Sequence, residues 1–129
     1  AASCGRMILV DSVIWVDHIR QELPRLSRLL DNGETLCHPF VVGEIALGSL
    51  RDRQFVLESL SSLPQAPLAD HEEVLFLLEE RRLFGLGIGY VDLHLVASCL
   101  LLPGTLLWTR DRRLDAAAHY LGIDYLRDG

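Results

Sequence analysis

The chain has no lysine: all twelve of its basic residues are arginine. That absence removes whole classes of chemistry. A Walker-type phosphate loop needs its lysine on the β- and γ-phosphates, and Schiff-base catalysis needs a lysine amine. A receiver domain also gathers acids at strand ends, but it needs a lysine beside its phosphoacceptor. Cysteine is scarce as well. Cys4, Cys37 and Cys99 form no CxxC and no Cys/His pair at zinc spacing, so neither a disulfide framework nor a zinc site is expected. Cys37 and Cys99 stand in apolar contexts, as small core residues do, and the usage fits a reducing, cytoplasmic setting. No apolar run is long and unbroken. The stretch from Leu83 to Thr109 is interrupted by Gly85, Gly87, Gly89, Asp92, His94 and Pro103-Gly104, which predicts a buried segment and no membrane partner.

A net charge of −6 argues against a broadly basic nucleic-acid surface. A nucleic-acid substrate stays open, because bound divalent cations invert the potential of an acidic site. With 129 residues, half of them hydrophobic, the chain has material for one well-buried domain. Residues 1–6 precede Met7 and are expected to be an expression remnant, leaving 7–129 as the domain.

Where the charges stand is more telling than their sum. Asp92 is the only formally charged residue between Arg82 and Arg110, and Glu44 is the only one between Pro39 and Leu50. Asp11 ends the apolar run Met7-Ile-Leu-Val10. An isolated carboxylate in such a setting costs several kcal/mol of desolvation, on the order of the effective penalty for a buried ion, unless it is compensated. Three acids planted this way predict one convergent site, and converging carboxylates are best compensated by a hard divalent cation.

The pattern of elements supports convergence. Met7–Val10 and Thr105–Thr109 read as buried strands. Helices are expected from Val13 to Arg20 with Ser12 as N-cap, from Pro24 to Asn32-Gly33, from Pro39 to Leu50, from Arg51 to Leu63, and from Asp70 toward Gly85. A buried helix begins near Tyr90, and another spans Leu114–Leu121. Thr35–His38 is a candidate short strand, Pro64–Pro67 a loop or brief strand, and Ile123–Leu126 a short last strand. Continuously apolar strands alternating with helices predict a parallel sheet buried on both faces, a three-layer α/β/α domain. In such sheets sites form at the carboxyl ends of strands, where Asp11 and Asp111 both fall.

Asp11, Glu44, Asp92 and Asp111 therefore make an oxygen-only ligand set suited to Mg²⁺ or Mn²⁺. Two such ions can activate a water and stabilise the leaving oxygen of a phosphodiester. The same stretches carry a family resemblance. Met7-Ile-Leu-Val-Asp11-Ser12 resembles the opening of a PIN domain, as found in VapC-type toxins. Val41-Val-Gly-Glu44-Ile-Ala-Leu-Gly48, Tyr90-Val-Asp92-Leu-His-Leu-Val-Ala97 and Trp108-Thr109-Arg110-Asp111 resemble its second, third and fourth motifs, in order, over residues 7 to about 126. Val13 departs from the pattern, since a second small polar residue is frequent there. The resemblance implies a Mg²⁺-dependent endoribonuclease, the toxin of a type II toxin–antitoxin pair, with an RNA substrate, a cognate antitoxin and often a homodimer. It also implies Asp11 and Asp92 as the main metal ligands, completed by Glu44 and Asp111, with Thr109 and Ser12 orienting ligands or phosphate.

Plainer roles stand beside these. Asp11, Asp92 or Asp111 would serve as helix N-caps, and Glu44 as a surface acid. Asp115 shares the Asp111 face one turn on, as a further ligand or as an arginine-paired acid. Arg110, Arg112 and Arg113 are candidate phosphate contacts because they adjoin Asp111. The histidines form no ligand pattern, and His94 reads as a satisfied core or surface residue. Trp15 and Trp108 read as packing residues. The competing functions are an antitoxin-bound interaction protein, a PIN-fold scaffold without nuclease activity, and a nuclease that processes RNA or acts on DNA.

Overall fold

A computed structural model describes residues 6–126. The expectation of a remnant at 1–6 and the reading of Cys4 lie, apart from Arg6, outside the described residues. Among the described residues three strands and seven helices form: β1 (Met7–Val10), α1 (Ser12–Arg20), α2 (Pro24–Asp31), β2 (Thr35–Leu36), α3 (Pro39–Ala46), α4 (Arg53–Ser61), α5 (His71–Glu80), α6 (Tyr90–Leu101), β3 (Thr105–Trp108) and α7 (Arg112–Tyr120). All strand pairing is parallel, in the order β2-β1-β3, and helices flank the sheet. The α/β architecture with a central parallel sheet is as the sequence predicts.

The hydrophobic content of β1 places it in the middle. Ile8, Leu9 and Val10 are fully buried, which only a strand paired on both edges and covered on both faces achieves. Register then does the positional work. Val10 pairs with Trp108, so the residues that follow, Asp11 and Thr109, leave the sheet side by side. The sheet extends by single parallel bridges at Gln65 beside Cys37 and at Asp124 beside Leu107. These are what becomes of the brief strands expected at Pro64–Pro67 and Ile123–Leu126.

The remaining differences have local causes. Ser12 does not cap α1. Asp11 does, its Oδ1 accepting from the Ser12 N–H at 2.7 Å, and Ser12 is the first helical residue. β2 is shorter than Thr35–His38 because His38 leaves the sheet to cap α3, Nδ1 accepting from the Phe40 N–H at 3.0 Å. α3 stops at Ala46, before Gly48, and α4 starts after Asp52, which lies in the left-handed region at φ 50°. α5 opens on a full capping box between Asp70 and Glu73. α7 begins two residues earlier than expected, because the Asp111 carboxylate accepts from both Arg113 N–H and Leu114 N–H. Among the described residues no helix is long and apolar enough to cross a membrane.

α6 is the most buried helix, enclosed from Leu93 to Cys99. It packs on β3 and α5, and α1 packs on α3. The helices that carry Glu44 and Asp92 are thereby anchored over the sheet's carboxyl edge. Cys37 and Cys99 are buried, unpaired thiols whose pKa values burial pushes up to about 11 and about 12. Truncating Leu107, fully buried in β3, to alanine is expected to cost about 3 kcal/mol in chemical denaturation. Leu106→Ala, at a half-buried position on the opposite face, should cost less than half as much.

Candidate functional site

One cavity of about 360 Å³ at the sheet's carboxyl edge is lined by Asp11, Ser12, Val13, Glu44, Asp92, Arg110 and Asp111. The four acids singled out in the sequence thus share one pocket, though they come from four separate segments. Among the described residues none of the four is in an ion pair, and no three or more His, Cys, Asp or Glu side chains are close enough to hold a metal ion as they stand. The pocket gathers the donors without closing them into a ligand cluster.

Asp11 is its fixed point. It is only 8% exposed. Oδ1 accepts from the Ser12 N–H, and Oδ2 accepts from the Thr109 hydroxyl at 2.7 Å. Thr109 Oγ1 in turn accepts from the Asp111 N–H at 3.0 Å. The hydroxyl has one proton, and with its oxygen occupied by that N–H the proton is directed at Asp11. The Asp111 Oδ1 accepts from the Arg113 and Leu114 N–H groups at 2.9 and 3.0 Å. One continuous chain of hydrogen bonds therefore runs from the start of α7 through Thr109 to the start of α1. The capping roles of Asp11 and Asp111 and their place in the pocket coexist, since each carboxylate keeps lone pairs free of its cap.

Asp92 enters from the first turn of α6, where its Oδ2 accepts from the Gly89 N–H at 3.2 Å. Its pKa is raised, first by burial and then by the charges of Asp11 and Asp111, while the Gly89 bond opposes the rise. Glu44 enters from α3. Burial raises its pKa most, Asp11 and Asp92 add to this, and a hydrogen bond from the Ser12 side chain opposes it. The two acids that feel the crowding sit on helices, and the sheet-end acid Asp11 is the one the backbone holds.

The flanking residues divide. Arg110 lines the pocket, but its guanidinium is paired with Asp17 of α1, an acid that sequence reading missed because nothing local links the two. Arg112 and Arg113 lie instead in a separate cavity on the far side of α7. Asp115 is half-buried and is not among the residues that line the acidic pocket.

Rings also join α3 and α6. His94 is bracketed edge-to-face by Phe40 and Tyr90, with centroids 4.8 and 4.6 Å away, and His38 packs on Phe40 at 5.0 Å. His94 is buried, as expected of a core residue, but it is not satisfied: its Nδ1 and the His38 Nε2 lack partners. Ring packing won over hydrogen bonding there. Burial, aided by His94, pushes the His38 pKa down to about 4.

Two pH dependences follow. A histidine with a lowered pKa takes up its proton more readily unfolded than folded. Stability is therefore lost as pH falls from about 6.5 through about 4, by up to about 3 kcal/mol for His38. His38→Asn, which keeps a capping side chain, should flatten that limb of a stability–pH curve. Glu44 and Asp92 run the other way: their ionisation costs stability at neutral pH, and the cost is relieved as pH falls toward the ordinary carboxylate range. Glu44→Gln and Asp92→Asn should each raise the Tm of the metal-free protein at pH 7, and the increment should shrink toward pH 5. An unchanged or lowered Tm at pH 7 would contradict the crowding described.

No family model matches the chain. It is 48% identical over 117 residues to Ribonuclease VapC32 of two Mycobacterium tuberculosis strains, an alignment covering 91% of this chain and 94% of each relative. Among solved structures it resembles PAE2754 from Pyrobaculum aerophilum, with a TM-score of 0.57 and 20% identity over 87% of this chain and 79% of that one, a likeness of fold alone. The relationship at 48% identity over nearly the whole chain shows that this protein belongs to the VapC-type, PIN-domain ribonuclease family.

Proposed function

We propose that this chain is a Mg²⁺-dependent endoribonuclease, with Mn²⁺ as an alternative ion, acting as the toxin of a toxin–antitoxin pair. The observation that carries this reading is the shared pocket of Asp11, Glu44, Asp92 and Asp111. Its donors are hard anionic oxygens with no thiolate or imidazole among them, the composition that suits Mg²⁺ or Mn²⁺. The relatives named as ribonucleases support RNA as the substrate.

Asp11, Asp92, Glu44 and Asp111 would hold the cation. When bound, it supplies charge neutralisation for the phosphodiester and lowers the pKa of an attacking water. Asp11 contributes a carboxylate whose orientation Thr109 and the start of α1 have already set, so little reorganisation is needed when substrate arrives. Asp111 is oriented by the first turn of α7 in the same way. Glu44, more exposed and bonded by Ser12, would accept the proton of the attacking water. A cognate antitoxin would quench the site by offering an Arg or Lys to these acids. Exposed Leu47 and Phe55, at 90% and 71%, supply apolar surface for that partner or for the second subunit of a homodimer.

One observation favours a second reading, a PIN-fold scaffold without nuclease activity: among the described residues no three ligands stand together as arranged. Cleavage of total RNA in Mg²⁺, Mn²⁺ and EDTA separates the two. Cleavage is expected with either ion and not with EDTA. Asp11→Asn and Asp92→Asn should lower kcat/KM by at least about 10²-fold, and Thr109→Val, which frees Asp11, by about 10–100-fold. Full activity in EDTA, or in either aspartate variant, would refute the mechanism.

A further inference from the structure

A second cavity, of about 510 Å³, lies between α7 and the loop that joins α5 to α6. Arg82, Arg112 and Arg113 line it together with Leu86, Tyr120 and two alanines of α7, and the lining surface is mostly apolar. No carboxylate is among the lining side chains, in a protein whose net charge is −6. Three arginines bordering one cavity, in a protein of net negative charge, favour an anionic ligand there.

The backbone around the cavity is specialised. Arg82 adopts the left-handed region at φ 55°, as do Gly85 at 75° and Gly87 at 78°. Arg82 N–H and Leu83 N–H donate to the Glu79 and Leu78 carbonyls, so the left-handed residue closes α5 in a Schellman motif. Gly87 presses directly on Arg113: a Cβ there would stand 2.7 Å from Arg113 Cδ and 2.8 Å from Nη1. The Arg113 side chain thus lies against the loop at Gly87. Two residues further on, Gly89 N–H bonds Asp92 in the acidic pocket. One short loop therefore touches both cavities, and α7 joins them too, with Asp111 in one and Arg112 and Arg113 in the other.

We propose that this cavity binds a backbone phosphate and the adjoining base of the substrate strand, one or more nucleotides away from the cleaved bond. The arginines take the phosphate, for which guanidinium geometry is suited. The base lies on Leu86 and the ring of Tyr120, which is 67% exposed. The proposal rests on the ribonuclease reading. It assigns to the cavity the hold on single-stranded RNA that the acidic pocket alone, by its charge, lacks.

The test is binding of a fluorescently labelled single-stranded RNA in EDTA, at several salt concentrations, alongside KM for its cleavage in Mg²⁺. Arg82→Gln with Arg112→Gln should weaken binding about tenfold at low salt. The slope of log affinity against log salt should become shallower by about 0.7 for each phosphate no longer held. KM should rise in parallel. Gly87→Ala keeps every charge but displaces Arg113, and it should weaken binding in the same direction with Tm monitored to exclude unfolding. Arg25→Gln with Arg28→Gln, a charge-matched pair on α2, should leave affinity within about twofold. Wild-type cleavage together with unchanged affinity and slope in the arginine variant would overturn the cavity's role and leave the ribonuclease reading standing. Weakened binding to an acidic protein partner, with RNA affinity intact, would likewise overturn it in favour of a protein interface. A wild-type protein that neither binds nor cleaves RNA would bring down both.

Discussion

A carboxyl group almost out of reach of water at the end of the central strand is the constraint around which the rest is arranged. Asp11 is buried, and a polar group there needs hydrogen bonds in place of its lost hydration. The fold provides them from two directions at once. The first helix offers the Ser12 N–H, and the neighbouring strand's end offers Thr109, whose proton is aimed by the Asp111 N–H. The parallel register that pairs Val10 with Trp108 makes this possible. A slip of one residue would turn Thr109 to the other face of the sheet.

Around that fixed point the helices add charge that the protein alone does not balance. Glu44 and Asp92 ride on α3 and α6, which apolar burial and the Phe40–His94–Tyr90 ring contacts hold in place. Their pKa values are raised by burial first and by the neighbouring carboxylates second. The one guanidinium at the rim, Arg110, is taken by Asp17, and Arg112 and Arg113 face elsewhere. The structure carries stored repulsion that a hard cation or a cationic partner would discharge, which is the usual trade of stability for function.

Much of this was legible in the sequence, and for an identifiable reason. Lone acids in apolar segments are conspicuous, because burial makes every charge accountable. Continuous apolar runs marked β1, β3 and α6, and parallel α/β geometry then placed the acids at one edge. Legibility ended where a choice depended on partners far along the chain. Ser12 and Asp11 are both capping types, and the start of α1 decided between them only through Thr109. His38 read as part of a strand because its role as a cap depends on Pro39 starting a helix. His94 read as satisfied because its ring neighbours come from Phe40 on another helix and Tyr90 a turn away. The separation of Arg112 and Arg113 from Arg110 depends on which faces of α7 point to which cavity, and that follows from α7 starting at residue 112 rather than 114.

Whether these carboxylates form a site for a hard divalent ion is tested most directly by calorimetric titration with Mn²⁺ near pH 5, in buffers of different ionisation enthalpy. Saturable binding accompanied by proton release is expected, because Glu44 and Asp92 must give up protons they hold more tightly than ordinary acids do. Replacing both Asp11 and Asp92 with asparagine should abolish the binding. No saturable heat, or equal affinity in that double variant, would contradict a metal site built from these four acids.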